Sequence, residues 1–570
     1  VSTVDEDRAH LHSLGYAQEL KRGLGWFSNF AISFSIISIL AGGMTAFWLG
    51  MVTGGPRVIT LGWIIVGFFA LLVGMAMGEI CSSYPTAGGL YYWSAKLAGE
   101  KRNGAKWSWF TGWFNLLGQI GVIASVDYAL AVFIGYFIRM FDDGYKLTVG
   151  GIFIIFLLVL VAHGLLNTFG IKLVKILGDI SVWWHVAGVV VIAAVLFIAP
   201  TNTRGIGAAF DSAPEGLNLT GWQGGNISWF IPIYLFAVGM LLAQYTITGF
   251  DASAHVSEET VGARTEAPKA IVRSIYVSAI AALVLNLSMI SALPKKGAVN
   301  ADGGDLYYNI AYGPAEDPFL INAANRLISG AVGSGAAKLL VFICIVGQFF
   351  CGMASVTANS RMIYAFSRDG ALPGSKFWHK INPKTRTPTN SVWLGVVLSA
   401  IVGSTSLIVK GTGAGRYSTA FFAMTGICVI GLYIAYAIPI YLRLTNPEFQ
   451  TGPWNLKGRH KLVGWTAIAW IGFITILFFA PLFWPFWPIW GDGNEIKEFA
   501  SPGNSFFRQN NFNFTGPLIV LSALAFWLYW QLSGRKWFSG PKVQGTPEEL
   551  LAIEHELDAL EHGRPIDHQV

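Results

Sequence analysis

Charge is what this chain of 570 residues is short of. Asp, Glu, Lys and Arg together make up 12% of it, roughly half the share usual in a soluble globular protein. So few solvated side chains exclude the string of soluble domains, at about 150 residues each, that the length alone would suggest. Cysteine is scarce as well. Cys81, Cys344, Cys351 and Cys428 each fall in or beside an apolar run without CxxC or Cys/His spacing, which excludes a disulfide framework or a cysteine metal site and predicts reduced core residues. A basic stripe with interleaved aromatics is also missing, so the net charge of +6 does not point to nucleic acid. Neither HExxH nor a Walker A motif occurs, which removes zinc-peptidase chemistry and direct drive by ATP. No cleavable leader is expected, because residues 1–22 are polar and acidic with no early apolar core.

What fills the chain instead is apolar: 53% hydrophobic residues, 40 Phe, 22 Trp, 66 Gly and a mean hydropathy of +0.52. Aromatic girdles and small-residue helix contacts are habits of helical membrane proteins. A crossing takes about 20 apolar residues, and twelve runs satisfy this: 27–52, 58–82, 107–141, 149–169, 174–199, 229–256, 270–293, 335–366, 391–408, 417–442, 462–484 and 516–532. The reading is therefore an all-α integral membrane protein of twelve transmembrane helices. The third and eighth runs are too long for a perpendicular crossing and predict tilt. With both termini in the cytoplasm, the inner loops carry about 26 of the 38 Lys and Arg residues, the bias expected of a multi-pass plasma-membrane protein. The tail is polar, with a helix expected around 548–560 that remains solvated.

Two runs are interrupted in their middles. The first reads SIISILAGGMTAFW, with Gly42 and Gly43 at mid-depth; the sixth reads AQYTITGFDASAHVSEE, with Gly249 and the charged Asp251 at similar depth. Glycine costs about 1 kcal/mol relative to alanine in a helix interior, although close helix packing is its other use in membranes. The breaks lie five runs apart, and so do the two overlong helices. An odd number of spans per unit inverts the second unit, and inverted repeats with a broken helix in each half point to a secondary transporter with a midplane site. The expected organisation is a cytoplasmic segment 1–24, a first repeat 25–199, an external loop 200–228, a second repeat 229–443, two further spans and their connection in 444–534, and a cytoplasmic tail 535–570.

The stretches EICSSYPTAGGLYYWSAKLAG from Glu79, NTFGIKLVKILGDISVWWH from Asn167, GFDASAHVSEET from Gly249 and RMIYAFSRDGALP from Arg361 resemble the amino acid–polyamine–organocation superfamily, and look most like its amino acid/choline branch, which includes GABA permeases. The resemblance covers about 25–443. It implies a LeuT-like 5+5 inverted-repeat core and a permease rather than an enzyme. The first span departs from the superfamily's usual Gly-Ser/Thr-Gly by reading Ala41-Gly42-Gly43, so only backbone contacts carry over there.

An unwound helix leaves N–H and C=O groups that a ligand can satisfy. Backbone N–H groups near Ile39, Ala41, Gly42 and Gly43 are candidates for a substrate carboxylate, and carbonyls around Tyr245, Thr246, Thr248 and Gly249 for an ammonium; the resemblance supports this geometry. By the same resemblance Phe250 gates the site, the alternative being plain packing. Trp48, Tyr245 and Phe250 could supply a cation–π surface for choline. Asp251 reads either as a counter-ion for the substrate amine or as a brace capping the second half of the sixth helix.

His185 is the sixteenth residue counted from Gly170. In some proton-coupled relatives a lysine at that spacing stands in for sodium, and a histidine can titrate near neutral pH; the bland alternative is a hydrogen-bonded core histidine, the reading given to His163. Sodium coupling would need hard oxygens near the first break, for which Ser355 and Thr357 are the candidates. Glu258 and Glu259 at the end of the sixth run, and Arg361 and Arg368 at the end of the eighth, read as an exposed salt-bridge gate of weak pairs or as loop charges that set topology. Glu79 is expected to brace the loop SSYPTAGGLYYW. The resulting expectation is a secondary importer of a small amino acid or GABA-like zwitterion, with no cofactor or metal, driven by the proton gradient. Its partners are a small-molecule substrate and lipid; nothing in the sequence sets an oligomeric state. A choline, cationic amino acid or polyamine permease, sodium-coupled or exchanging, is the alternative. An ion channel would ask for a repeated filter or charge ring, absent here.

Overall fold

The computed structural model describes residues 2–213, 230–300, 303–313, 317, 319–408, 415–479 and 515–562. Among them the regular structure is helical, joined by a few isolated β-bridges. In chain order the α-helices are α1 (Thr3–Ser13), α2 (Trp26–Ile36), α3 (Phe47–Thr53), α4 (Trp63–Ser83), α5 (Leu90–Ala98), α6 (Gly104–Arg139), α7 (Val149–Thr168), α8 (Ile171–Ile198), α9 (Phe230–Gly239), α10 (Leu241–Thr246) and α11 (Ala252–His255). There follow α12 (Ala263–Ser291), α13 (Leu306–Tyr312), α14 (Ala323–Ala331), α15 (Ser334–Arg368), α16 (Ser375–Trp378), α17 (Thr389–Gly403), α18 (Thr405–Ile408), α19 (Gly415–Leu444), α20 (His460–Phe479), α21 (Thr515–Leu532) and α22 (Pro547–Glu561). Among the described residues, eleven helical segments are long and apolar enough to cross a membrane, and Pro232–Thr246 forms a shorter apolar helix. The protein is a multi-pass membrane protein. The part of the eleventh expected run beyond residue 479, and much of the 200–228 loop, lie outside the described residues.

Helix starts follow from local chemistry. The Asn103 side chain accepts from the Lys106 N–H at 3.1 Å to cap α6, and the Thr148 hydroxyl accepts from the Gly151 N–H at 3.1 Å to cap α7. With 36 and 35 residues, α6 and α15 would each extend about 50 Å, far beyond a hydrocarbon layer of about 30 Å, so both must cross obliquely. These two helices and α19 form the buried centre of the bundle. α6 approaches α19 on glycines: a Cβ on Gly431 would lie 2.9 Å from the Gly118 nitrogen, and one on Gly121 would lie 2.9 Å from the Cys428 nitrogen. Small residues let the backbones touch where hydrocarbon gives no drive to pack.

The C-terminal helix α22 is present where a helix was expected, opened by a Thr546–Glu549 capping box. It is not solvated. Glu554 is buried against the N-terminal segment, where it accepts from the Gln18 N–H at 2.6 Å, sits 2.7 Å from His12 Nε2 and pairs with Arg8. Arg386 reaches Asp558 at 2.9 Å. Both termini thus meet at one end of the bundle, where the polar face of α22 finds partners better than water in α1.

Candidate functional site

The first break falls upstream of the glycine pair. α2 stops at Ile36; Ile37 (φ −72°, ψ 50°) and Ser38 (φ −72°, ψ 113°) leave the helix. Ile39–Gly43 then forms one π-helical turn, a geometry concentrated at functional sites. Ser38 fills much of the vacancy this creates. Its carbonyl accepts from the Gly42 N–H at 2.9 Å, and its hydroxyl oxygen accepts from the Ala41 N–H at 3.0 Å. Two of the N–H groups expected for a carboxylate are therefore held internally in this closed arrangement.

The second break is at the expected place. α10 ends at Thr246, Ile247 (φ −90°, ψ 60°) leaves the helix, and Gly249 (φ +87°) turns the chain through a region that other residues resist. The Gln244 carbonyl accepts from the Thr248 hydroxyl, while α10 has no following turn to use the Tyr245 and Thr246 carbonyls. The two breaks face each other. A Cβ on Gly42 would sit 2.7 Å from Thr246 Oγ1 and 2.8 Å from its Cα, so glycine is required there for close approach rather than for unwinding.

Between them lies a small cavity lined by Ile36, Gly42, Val122, Val126, Tyr245, Thr246, Thr248, Cys351 and Cys428. Its free space is about 10 Å³, room for one water at most. A substrate would need the bundle to open. Cys351 of α15 and Cys428 of α19 read from the sequence as core cysteines only, and Val122 and Val126 of α6 carry no signal there; valines and cysteines in apolar runs indicate nothing beyond core packing.

Asp251 is bonded into the surrounding helices and does not cap α11. Oδ1 accepts from the Tyr436 hydroxyl at 2.7 Å; Oδ2 accepts from Gln119 Nε2 at 3.1 Å and Asn115 Nδ2 at 3.4 Å, and lies 3.2 Å from His255 Nε2. It makes no side-chain bond to the start of α11. Phe250 is fully buried with its ring 5.1 Å from that of Tyr436 and 6.5 Å from that of Tyr433. Tyr245 meets Phe421 and hydrogen-bonds Ser125. Tyr245 and Phe250 therefore have separate ring partners.

His185 touches the first break itself. Its Nε2 is 2.6 Å from Ser38 Oγ, and its Nδ1 donates to the Ser181 carbonyl at 2.8 Å. Ser355 donates to the Cys351 carbonyl, and Thr357 donates to Asn167 Oδ1 at 2.6 Å; both hydroxyls are engaged in the scaffold. The oxygen at the end of α2 meets sulfur instead, Cys351 Sγ donating to the Ile36 carbonyl at 3.3 Å. No group of three metal-ligating side chains occurs among the described residues.

The four residues expected to form a gate do pair, but not as exposed charges. Arg361 Nε donates to Glu259 at 2.9 Å and Arg368 Nη2 to Glu258 at 3.2 Å, with every side chain at 3% exposure or less. The span ends are covered by the 82–93 loop, the N-terminal segment and α22, which removes the water assumed for weak loop pairs. Asp369 joins them, accepting from Tyr91, Tyr16 and the Lys542 N–H; burial pushes its carboxyl up while Arg368 opposes. Glu79, expected to brace the 82–93 loop, instead binds Arg443 at 3.1 Å and the Leu456 N–H at 3.1 Å. It ties α4 to the link between α19 and α20. The loop is held by Glu258, which accepts from the Ala87 N–H at 2.9 Å.

The sequence matches the family model described as amino acid permease over residues 24–524. It is 39% identical to the amino-acid permease BAT1 of Arabidopsis thaliana over 95% of this chain and 97% of that protein. It is 30% identical to the GABA-specific permease of Saccharomyces cerevisiae over 83% of this chain and 78% of that one. A putative polyamine transporter of Candida albicans is 26% identical over 96% and 91%. These relatives are transporters by name and not enzymes. The chain belongs to the amino acid permease family of the amino acid–polyamine–organocation superfamily.

Proposed function

We propose that this permease imports a small neutral amino acid or GABA-like zwitterion across the plasma membrane by alternating access, coupled to protons. The observation that carries the reading is the cavity between the two breaks, lined by Gly42, Tyr245, Thr246 and Thr248. A half-helix start on one side and free carbonyls on the other suit a ligand bearing one charge of each sign. Alternating access fits a space that holds about one water when closed. The supporting architecture is a twelve-helix protein with a LeuT-like 5+5 core, in which α2–α3 and α9–α11 are the corresponding broken spans; both termini then face the cytoplasm, together, as α1 and α22 pack on each other.

Proton coupling rests on His185, whose imidazole bonds the serine at which the first helix unwinds. A neutral ring accepts from the Ser38 hydroxyl, whereas a charged one donates to it and frees that hydroxyl's proton. Sodium would use the hydroxyl oxygens of Ser355 and Thr357, whose hydrogens are given to the Cys351 carbonyl and Asn167 Oδ1. A polycation would want an acid in the cavity, and Asp251 is committed elsewhere; choline would want an aromatic cage, which the separated rings of Tyr245 and Phe250 do not form. The experiment is uptake into proteoliposomes of neutral amino acids, GABA, choline and a polyamine, with and without an inward proton gradient. Gradient-driven accumulation of a zwitterion is expected. Accumulation of choline or the polyamine alone, or indifference to the proton gradient, overturns the corresponding part.

A further inference from the structure

One hydrogen-bond pattern in the second break does not balance without an extra proton. His255 is fully buried, with Nδ1 2.9 Å from the Ala87 carbonyl oxygen and Nε2 3.2 Å from Asp251 Oδ2. A carbonyl only accepts, so Nδ1 carries hydrogen. A carboxylate also only accepts, so a neutral ring would aim its remaining lone pair at an anion. The contact holds if Nε2 is protonated too, or if Asp251 is. Asp251 already accepts from Tyr436, Gln119 and Asn115, so both of its oxygens serve as acceptors and the hydrogen of the remaining contact is left for Nε2 to supply. The proton therefore sits on the ring.

We infer that Asp251 and His255 form a buried proton-binding site, distinct from His185, whose occupancy holds the terminal end of the bundle shut. The ligand is one proton, bound as an imidazolium–carboxylate pair of zero net charge. Ala87 is what the site clasps: His255 donates to its carbonyl while its N–H donates to Glu258. Gly89 leaves room for the ring, since a Cβ there would come within 3.1 Å of His255 Cε1. Opening that end separates α11 from the 84–89 loop. Nδ1 then loses its acceptor, the pair meets water, and Nε2 passes its proton to the cytoplasm. The pair changes from neutral to one net negative charge, which would be costly to bury again until another proton arrives.

The groups that face the pair leave this proton to it. From α19 come Tyr436, Tyr433 and Cys428. α6 offers only the amides of Asn115 and Gln119, and α2 only Asn29 and the Ser33 hydroxyl, which bond Ser253. The carboxylates nearby are matched: Glu258 by Arg368, and Glu259 by Arg361 from α15. The 84–89 loop meets the pair through the Ala87 carbonyl.

The inference rests on the proton-coupled reading above, and internal pH separates the two. In proteoliposomes at fixed external pH, acidifying the lumen from about pH 8 to about pH 6 should slow wild-type uptake by up to about tenfold per pH unit, because each inward opening must release this proton. His255→Gln keeps a donor for Ala87 without a titrating group, and its uptake should fall less steeply than that of the wild type, by only what the shrinking gradient costs through His185. Asp251→Asn is the second variant: its amide can donate to Nε2 of a neutral ring, and Asn115, whose Oδ1 has no partner, can turn to meet it. It too should lose the steeper part of the internal-pH response. A wild-type-like response in whichever variant transports overturns the site. A wild type that ignores the external proton gradient overturns the coupling reading instead.

Discussion

Arg361 grips Glu259 with two guanidinium nitrogens, Nε at 2.9 Å and Nη2 at 3.4 Å, where neither side chain reaches solvent. The pair joins α15 to the turn after α11, and so locks the second broken span to the long scaffold helix. Burial pushes the Glu259 carboxyl up, and Arg361 opposes that shift. Removing one partner from such a pair strands the other without water, whereas removing both does not. Arg361→Met should cost about 3–5 kcal/mol, read as thermal unfolding of the purified protein, with Glu259 taking up a proton in compensation. Arg361→Met combined with Glu259→Leu should recover most of that loss. Additive losses in the double variant would show that the two side chains act separately.

Gly42 and Gly43 look alike in sequence and differ in place. A methyl on Gly42 would press on Thr246 backbone at 2.8 Å, which cannot turn aside, whereas the nearest atom to a methyl on Gly43 is Ile39 Cγ2 at 3.8 Å. Gly42→Ala should destabilise by about 1–3 kcal/mol through overpacking and abolish substrate-induced thermal shifts. Gly43→Ala should be near neutral or stabilise by up to about 1 kcal/mol, since the turn gains a less flexible residue. Equal losses in both variants would place the close approach elsewhere.

Much of this was legible because hydropathy is a long-window signal. Every span with described ends lies within several residues of its sequence-derived bounds, and the second break sits on Gly249 as its glycine and acid indicated. Ser38 was not legible: a serine in an apolar run gives no sign that it will cap the turn after it and silence two N–H groups. His255 stood in a quoted motif and went unread, because its meaning depends on Ala87, 168 positions away. Glu79 was misassigned for the same reason, its partners being Arg443 and Leu456 far along the chain. The gate pairs were found but misplaced, since charges at span ends ordinarily meet water and these are roofed by the termini.

His185 and Ser38 make a separable pair. His185→Ala removes the titrating ring and should abolish pH-driven accumulation while substrate counterflow survives. Ser38→Ala keeps the ring but removes the hydroxyl that accepts from the Ala41 N–H. That change should cost about 0.5–2 kcal/mol, as loss of a helix-capping serine does, and weaken counterflow and accumulation together. Unchanged external-pH dependence in His185→Ala would remove the ring from coupling.

The terminal clasp has its own pH limit. Burial pushes the Glu554 carboxyl up, but donors from His12, the Gln18 N–H and Arg8 outweigh it, so the group ends below its usual range. A carboxyl with a lowered folded pKa contributes stability that is complete above its unfolded value, about 4.3, and is lost as pH falls through the lowered one. The contact between α1 and α22 should therefore persist from neutral pH down to about 5 and open only in stronger acid. Spin labels at the exposed positions Ala9 and His555 would report the separation. One short distance is expected across the neutral range, with a longer one appearing only below about pH 4. Glu554→Ala should give the longer distance at neutral pH, because Arg8 and His12 lose the acceptor that holds α22 in place. A short distance retained in that variant would assign the docking to Arg386 and Asp558 instead.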